Sequence, residues 1–316
     1  MKRVLKILGI LVGALLLIVA VGALYIHFSA PPSYAYSPPR EYPVDMSPEQ
    51  IAEGTRIAQT MCVQCHMSPD GKLGGAKMDD APEFGEIYSS NITQDPDYGI
   101  NDYTNAELAY LLRTGMKRNG EYAPPYMPKF PNLSDNDVSA IIAFLKSDNP
   151  LVQPSHQPTV EPKLSFFSNF LLKVAFKPLP YPEHSIDAPD ESDRIAFGKY
   201  LSTAKFDCYS CHSASFEGAD PMIPQNSEGF MAGGNTLHRR NGDIVLTPNL
   251  TMDPETGLGK WSEQDFITAV KTGKRPFGKE ANAYPMSPFA LLTDREVSDI
   301  WAYLNTLKPV RNEKLK

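Results

Sequence analysis

All four cysteines of this 316-residue chain lie in two matching patterns, each with a histidine directly after the second cysteine. Residues 62–66 read CVQCH and residues 208–212 read CYSCH. Two thiols three positions apart can each bond a vinyl group of one haem, and the imidazole that follows can ligate its iron. The sequence therefore predicts two covalently attached haem c groups. Their attachment residues are Cys62, Cys65 and His66 for one haem and Cys208, Cys211 and His212 for the other.

A Cys-x-x-Cys pair also occurs in redox disulfides and in zinc sites. Neither alternative explains the histidine that follows both pairs. A zinc site shared between the pairs would also have to bring together cysteines that are about 140 residues apart. Haem attachment accounts for every cysteine and for both histidines, so we prefer it.

The two motifs belong to a longer internal repeat. Residues 91–96 read NITQDP and residues 249–254 read NLTMDP, which is an offset of 158. The haem motifs are offset by only 146, so the second unit holds twelve extra residues between its histidine and Asn249. These residues lie in the Gly/Asn/Ser-rich stretch 221–241, where we expect a small irregular or hairpin insertion.

A methionine at the equivalent place in each unit offers a sixth ligand for each iron. Met127 and Met286 both lie 11 residues before the valine that opens the apolar face of the next helix. A methionine is more often a core side chain than a ligand, but its recurrence favours ligation in both units. Met116 is the rival in the first unit, although its counterpart in the second unit is Lys274, which cannot serve. A thioether favours ferrous iron, and two filled axial positions leave no vacancy for substrate.

Helix signals occur in the same order in both units. The predicted N-caps are Ser47, Thr104 and Ser134 in the first unit and Ser262 and Thr293 in the second. Gly115 is the expected stop of the helix that begins at Thr104. At roughly 110 to 125 residues, each unit is long enough to bury a core around a haem. The predicted fold class is all-α, with two tandem domains.

With these motifs together, the chain resembles bacterial di-haem cytochromes c, especially the cytochrome c subunits of membrane-bound sugar and alcohol dehydrogenases. Besides the haem motifs, the resemblance rests on Asn249, Leu250, Thr251, Asp253, Pro254, Gly257, Trp261, residues 271–273 and the methionine loop before residues 292–294. It covers most of residues 47–146 and 190–308. It implies a class I cytochrome c fold for each unit, with Met127 and Met286 as axial ligands. Many such subunits have three haems, whereas this chain has two motifs.

The N-terminus carries a membrane signal. Residues 7–28 form a stretch of 22 residues without a charge, long enough to cross ~30 Å of hydrocarbon as a helix. A cleaved signal peptide is the alternative, but cleavage after Ala30 would need a small residue where Phe28 stands. Basic residues before the stretch keep the N-terminus cytoplasmic. We therefore expect an uncleaved anchor in a bacterial inner membrane, with both haem domains on the periplasmic side.

The predicted segments follow from these signals. They are a membrane anchor over residues 1–30, a Pro-rich stalk over 31–46, a first cytochrome c domain over 47–146, a linker over 147–189 and a second domain over 190–312. The linker contains an apolar segment, residues 164–176, that is too short to span a bilayer. This segment can lie on the membrane surface or pack between the haem domains, and we favour packing between them.

The charge of the chain bears on its partners. A net charge of −7 argues against binding to nucleic acid. Residues 41–150 carry a net charge of −9 and residues 190–316 a net charge of −2. The acidic first unit is either an ordinary solvated surface or a steering surface for a basic redox partner.

Two filled iron sites on a membrane anchor predict an electron carrier more readily than an enzyme. We expect the chain to relay electrons from a dehydrogenase or quinol-oxidising complex to a downstream cytochrome or oxidase. The alternative is a di-haem enzyme, peroxidase-like or thiosulfate-oxidising, in which one iron exchanges its distal ligand.

Overall fold

The computed structural model describes residues 2–79, 82–123, 126–239, 241–278, 280–282 and 284–315. Its first element is a long helix, α1 (Lys2–Phe28), none of whose residues is buried in the protein. Among the described residues, α1 is the one helix long and apolar enough to cross a membrane. Its length and composition suit a membrane anchor or a signal sequence.

The first unit carries the first haem motif. Its helices are α2 (Pro48–Met61), α3 (Val63–His66), α4 (Asn105–Thr114) and α5 (Asp135–Leu145). Two short antiparallel strands, β1 (Lys77–Met78) and β2 (Gly85–Tyr88), lie between α3 and α4.

The linker adds a third strand and one helix. The strand β3 (Lys163–Leu164) pairs with β2, which gives the order β1-β2-β3. Helix α6 (Phe166–Val174) follows at once.

The second unit repeats both the helices and the β1-β2 hairpin of the first. Its helices are α7 (Arg194–Tyr200), α8 (Cys208–Cys211), α9 (Glu263–Thr272) and α10 (Asp294–Leu304), with a π-helical turn over Leu201–Lys205 between α7 and α8. The strands β4 (Thr236–His238) and β5 (Ile244–Leu246) pair as an antiparallel hairpin. The twelve extra residues lie before this hairpin, because the Gly233 N–H donates to the His212 carbonyl just as the Gly75 N–H donates to that of His66. The insertion is therefore an irregular loop with one short helical turn, Pro224–Asn226.

Capping residues set the helix boundaries as the sequence predicted. Each predicted N-cap accepts a backbone N–H from the first turn of its helix: Ser47, Thr104, Ser134, Ser262 and Thr293. Gly115 ends α4 with a φ of 77°, a left-handed conformation that glycine adopts at low cost.

In each unit the first and last helices cross at a glycine. Gly54 of α2 lies so close to α5 that a Cβ atom there would be 1.8 Å from the Ala140 carbonyl oxygen. Gly198 of α7 has the same separation from the Asp299 carbonyl oxygen of α10. This close crossing fixes the helix that leads to each haem motif.

The prediction of an all-α fold holds only in part. The helices are as expected, but the sheet β1-β2-β3 was not predicted. Its strands have two to four residues and are too short to show an alternating pattern of apolar and polar side chains.

Residues 31–46 and helix α6 both pack in places that the sequence did not predict. Residues 31–46 do not stand apart as a stalk, because the Tyr34 N–H donates to the Gly120 carbonyl at 2.8 Å and the Tyr42 hydroxyl donates to the Asp135 carbonyl at 3.1 Å. Helix α6 packs against α1 and the turn Pro82–Phe84, so the favoured placement between the two units is wrong.

The two units share a cluster of ionic side chains where they meet. This interunit cluster consists of Glu53, Arg56, Asp137, Tyr200, Lys205 and Glu296. Lys205 is buried, and its ammonium group lies 2.9 Å from the Asp137 carboxylate and 2.7 Å from that of Glu53. Arg56 of the first unit lies 2.8 Å from Glu296 of the second.

The cluster holds the Glu53 carboxylate ionised. Burial alone would raise the pKa of Glu53, but hydrogen bonds from Arg56 and the charge of Lys205 outweigh burial and lower that pKa to about 2. The Tyr200 hydroxyl donates to Asp137 and accepts from the Ser134 N–H at 3.0 Å. Because Lys205 and Asp137 are buried, each of these two charges depends on its partner.

We expect Lys205→Met to lower the free energy of unfolding by about 3 kcal/mol, because it leaves the buried Asp137 carboxylate without its cation. Urea unfolding followed by far-ultraviolet circular dichroism measures this change. Lys199→Met is the matched control, since Lys199 lies six residues earlier on the same helical segment and is exposed. Equal losses in the two variants would contradict a structural role for the cluster.

Candidate functional site

The first haem motif lies where α2 passes into α3. Cys62 ends α2 and caps α3, while Cys65 and His66 occupy the single turn of α3. The His66 Nδ1 lies 2.8 Å from the Ser90 carbonyl oxygen. A carbonyl oxygen can only accept, so Nδ1 carries the proton and Nε2 presents its lone pair for a metal.

The second motif repeats this geometry. Cys208 and Cys211 bound the single turn of α8, and His212 caps its end. The His212 Nδ1–H donates to the Pro248 carbonyl at 2.8 Å. Ser90 and Pro248 are related by the repeat offset of 158, so each unit orients its imidazole from the same backbone position.

An asparagine directly after each of these carbonyls holds the loop in place. Asn91 and Asn249 accept hydrogen bonds from both the N–H and the hydroxyl of the threonine two positions later. Their amide groups donate to the carbonyls of Ser155 and Val310, each at 2.7 Å, near the chain end of each unit. The repeated Asn-x-Thr sequence therefore positions the group that orients the histidine, a role that the sequence analysis did not assign.

The protonation states of the motifs are set by burial. Burial raises the pKa of Cys62, Cys208 and Cys211 to about 12, so these groups are thiols at neutral pH. Burial lowers the pKa of His66 and His212, which favours the neutral imidazole that binds iron. None of these four cysteines forms a disulfide. The residues fit a covalently held haem.

The two candidate methionine ligands lie in equivalent loops. Met127 and Met286 are both half-buried. Each loop is tied to the preceding helix by a 2.8 Å hydrogen bond, from Phe130 N–H to the Leu112 carbonyl in the first unit and from Phe289 N–H to the Val270 carbonyl in the second.

Met116, the rival in the first unit, has a different environment. Its side chain is only 2 % exposed, and its backbone pairs with Tyr122. These are features of a core side chain.

The first haem motif and the second methionine loop meet across the boundary between the units. The Gln64 side-chain amide donates to the Pro285 carbonyl at 3.0 Å. Beside this contact lies a cavity of about 710 Å³, lined by Cys65 and Met78 of the first unit and Phe289 of the second. The two sites are therefore joined by direct contact and do not face away from each other.

A carboxyl group lies directly before the second motif. Asp207 has a φ of 49°, and the Ser210 hydroxyl donates to its carboxylate at 2.7 Å. Burial raises the pKa of Asp207 to about 7, and the bond from Ser210 opposes only part of that rise. The charge beside Cys208 therefore changes near neutral pH.

Comparison with known proteins finds the family described as Cytochrome c, which matches residues 51–148 and 195–308. The alcohol dehydrogenase (quinone) cytochrome c subunit of Gluconacetobacter polyoxogenes is 32 % identical over 271 residues, 82 % of this chain and 56 % of that protein. The fructose dehydrogenase cytochrome subunit of Gluconobacter japonicus is 30 % identical over 263 residues, 78 % of this chain and 50 % of that protein. The chain thus spans about half the length of these two relatives.

A further relative is covered over more of its length. The diheme cytochrome c-type protein of Cereibacter sphaeroides is 30 % identical over 234 residues, which is 68 % of this chain and 70 % of that protein. The two regions that match the family correspond to the two units, and each contains one haem motif.

The Asp207 carboxyl should make the midpoint potential of a haem on the second motif depend on pH. Its deprotonation adds a negative charge beside the second motif, which would stabilise the ferric form of a haem held there. We therefore expect the midpoint potential of that haem to fall as pH rises from about 6 to about 8. Redox titration at a series of pH values measures the fall. Asp207→Asn should remove it, whereas Asp243→Asn, on the exposed hairpin turn, should retain it. A fall that survives in Asp207→Asn would assign the titration to another group.

Proposed function

The chain belongs to the cytochrome c family, and we propose that it is a membrane-anchored di-haem electron carrier. Its family and its relatives among dehydrogenase cytochrome subunits support an electron-transfer role for covalently bound haem c. The finer proposal, one haem in each unit, rests on one observation. His66 and His212 each donate Nδ1–H to an equivalent carbonyl, so both motifs present an imidazole prepared to ligate iron.

In each unit, different residues would attach the haem and ligate its iron. Bound haem c supplies an iron that takes up and releases one electron. We propose that Cys62, Cys65 and His66 hold one haem with Met127 as the sixth ligand. We propose that Cys208, Cys211 and His212 hold the other with Met286. Methionine in both loops would close both irons to substrate, which suits a carrier. The proposed domains are residues 47–146 and 190–312.

The proposed partners are redox proteins. The names of the relatives suggest a dehydrogenase as donor, with a quinol-oxidising complex as the other candidate and a downstream cytochrome or oxidase as acceptor. The net charge of −9 over residues 41–150 would attract a basic partner and speed their encounter.

We also propose that α1 remains as an inner-membrane anchor, with the haem units on the periplasmic side. The uncharged stretch 7–28 is long enough to span, and Phe28 and Pro31 disfavour cleavage after Ala30. Lys2, Arg3 and Lys6 support a cytoplasmic N-terminus.

The number of haems can be read from the intact mass. We expect the mass of protein matured with full haem-attachment machinery to exceed that of the polypeptide by two haems, because all four motif cysteines are used. A variant carrying both Cys208→Ala and Cys211→Ala should retain one haem. A wild-type protein with a single haem would contradict the proposal.

The axial methionines can be tested one unit at a time. We expect Met127→Leu or Met286→Leu to turn one of the two haems high-spin, lower its potential and let it bind carbon monoxide when reduced. Each substitution removes a soft ligand and opens a coordination position. Absorption spectra and redox titration provide these measurements.

Met116→Leu is the matched control, because Met116 is a buried core side chain and leucine nearly preserves its volume. Both irons should stay low-spin in that variant. If the wild-type protein already has a high-spin haem that binds peroxide, the di-haem enzyme replaces the carrier as the better proposal.

A further inference from the structure

Helix α6 exposes large apolar side chains along one face. Phe166, Phe167, Phe170 and Val174 are 48 %, 41 %, 38 % and 57 % exposed. The opposite face is buried and consists of Ser168, Leu171 and Leu172. An aromatic face of this kind on a nine-residue helix needs a covering surface.

The orientation of α6 is fixed by the first unit. The Ser165 hydroxyl, at the N-cap of α6, donates to the Glu83 carbonyl at 2.6 Å, and the Ser168 hydroxyl donates to the Phe84 carbonyl at 2.9 Å. The strand before the helix pairs with β2. The phenylalanines therefore project from a rigid support.

The other end of α6 meets the end of α1. Lys173 donates from its ammonium group to the carbonyls of Ile26, at 2.6 Å, and Ser29, at 2.8 Å. The last carbonyls of a helix have no partner within the helix, so this lysine satisfies groups at the point where α1 ends. The exposed face of α6 consequently lies at the level at which α1 would leave a bilayer.

We propose that α6 lies on the outer surface of the bilayer, with Phe166, Phe167 and Phe170 inserted at the boundary between headgroups and acyl chains. The inference rests on the proposed function in one respect, that α1 stays in the membrane. Contact with α1 favours lipid over a protein partner as the covering surface, because the bilayer that surrounds α1 reaches the neighbouring face of α6. Lys173 and the exposed Lys177 suit the headgroup region.

This contact would give the first unit a second attachment to the membrane. A single helix leaves a domain free to rotate about its axis, whereas α1 and α6 together define an orientation. Since the Ser165 and Ser168 bonds tie α6 to the first unit, the first haem motif would be held at a set direction relative to the bilayer.

Spin-label accessibility in the full-length holoprotein tests the proposal. A nitroxide is placed on Phe167→Cys in vesicles of phosphatidylethanolamine and phosphatidylglycerol, and its power saturation is measured with dissolved oxygen and with a water-soluble nickel chelate. Lipid contact predicts an oxygen-to-nickel accessibility ratio several-fold higher than that of a control label on Ile244→Cys, which is 66 % exposed on the hairpin of the second unit. Phe170→Cys should give the same result as Phe167→Cys.

The outcomes separate this inference from the proposed function. Intact mass shows whether α1 is present. If α1 is retained and the Phe167 label is as accessible to nickel as the Ile244 label, the membrane contact of α6 is wrong while the anchor stands. A label shielded from both reagents would assign the face to protein and also overturn the proposal. A mature chain that begins near Pro31 overturns the anchor and, with it, the inference.

Discussion

The hydrogen bond from histidine Nδ1–H to a backbone carbonyl is the constraint from which each unit is built. It sets the tautomer and the direction of the imidazole, and it can form only if the carbonyls of Ser90 and Pro248 are held still. Asn91 and Asn249 hold them by bonding to the chain near the end of each unit. The loops that begin at Asn91 and Asn249 thus position the histidines. The close helix crossings at Gly54 and Gly198 position the helices that lead to the cysteines.

The ion pairs that join the two units are arranged with pseudo-twofold symmetry. Arg56 of α2 reaches α10 through Glu296, and Lys205 at the end of the π-helical turn reaches α5 through Asp137. The first helical segment of each unit therefore contacts the last helix of the other. Lys205 and Asp137 are buried, so moving the units apart would leave two charges without a partner. The contact between Gln64 and the Pro285 carbonyl, beside Met286, depends on that fixed relation.

The parts of the structure that could be predicted from sequence are those carried by local patterns. The haem motifs and the N-caps leave a signature within a few residues, and the repeat doubles each signal. The insertion after His212 appears instead as the difference between two repeat offsets. Backbone carbonyls leave none, so Ser90 and Pro248 could be found only indirectly, through the repeated Asn-x-Thr beside them. The two-residue strands β1 and β3 and the packing of residues 31–46 and α6 depend on tertiary contacts between distant segments. Composition showed that residues 164–176 are apolar, but not which surface they meet.

The second unit and helix α6 are both held in a fixed orientation on the first unit, and this matters for electron transfer. The interunit cluster holds the second unit on the first, and the Ser165 and Ser168 bonds hold α6 on the first unit as well. If α6 lies on the bilayer, both haem units share one orientation relative to the membrane, and partners must approach from the sides that face water. The excess negative charge lies on the first unit, so a basic carrier in solution would be drawn there, whereas the second unit repels an acidic partner less. The uneven charge of two otherwise similar units would therefore direct different partners to the two ends of the proposed relay, for which we propose the same iron ligands at both ends.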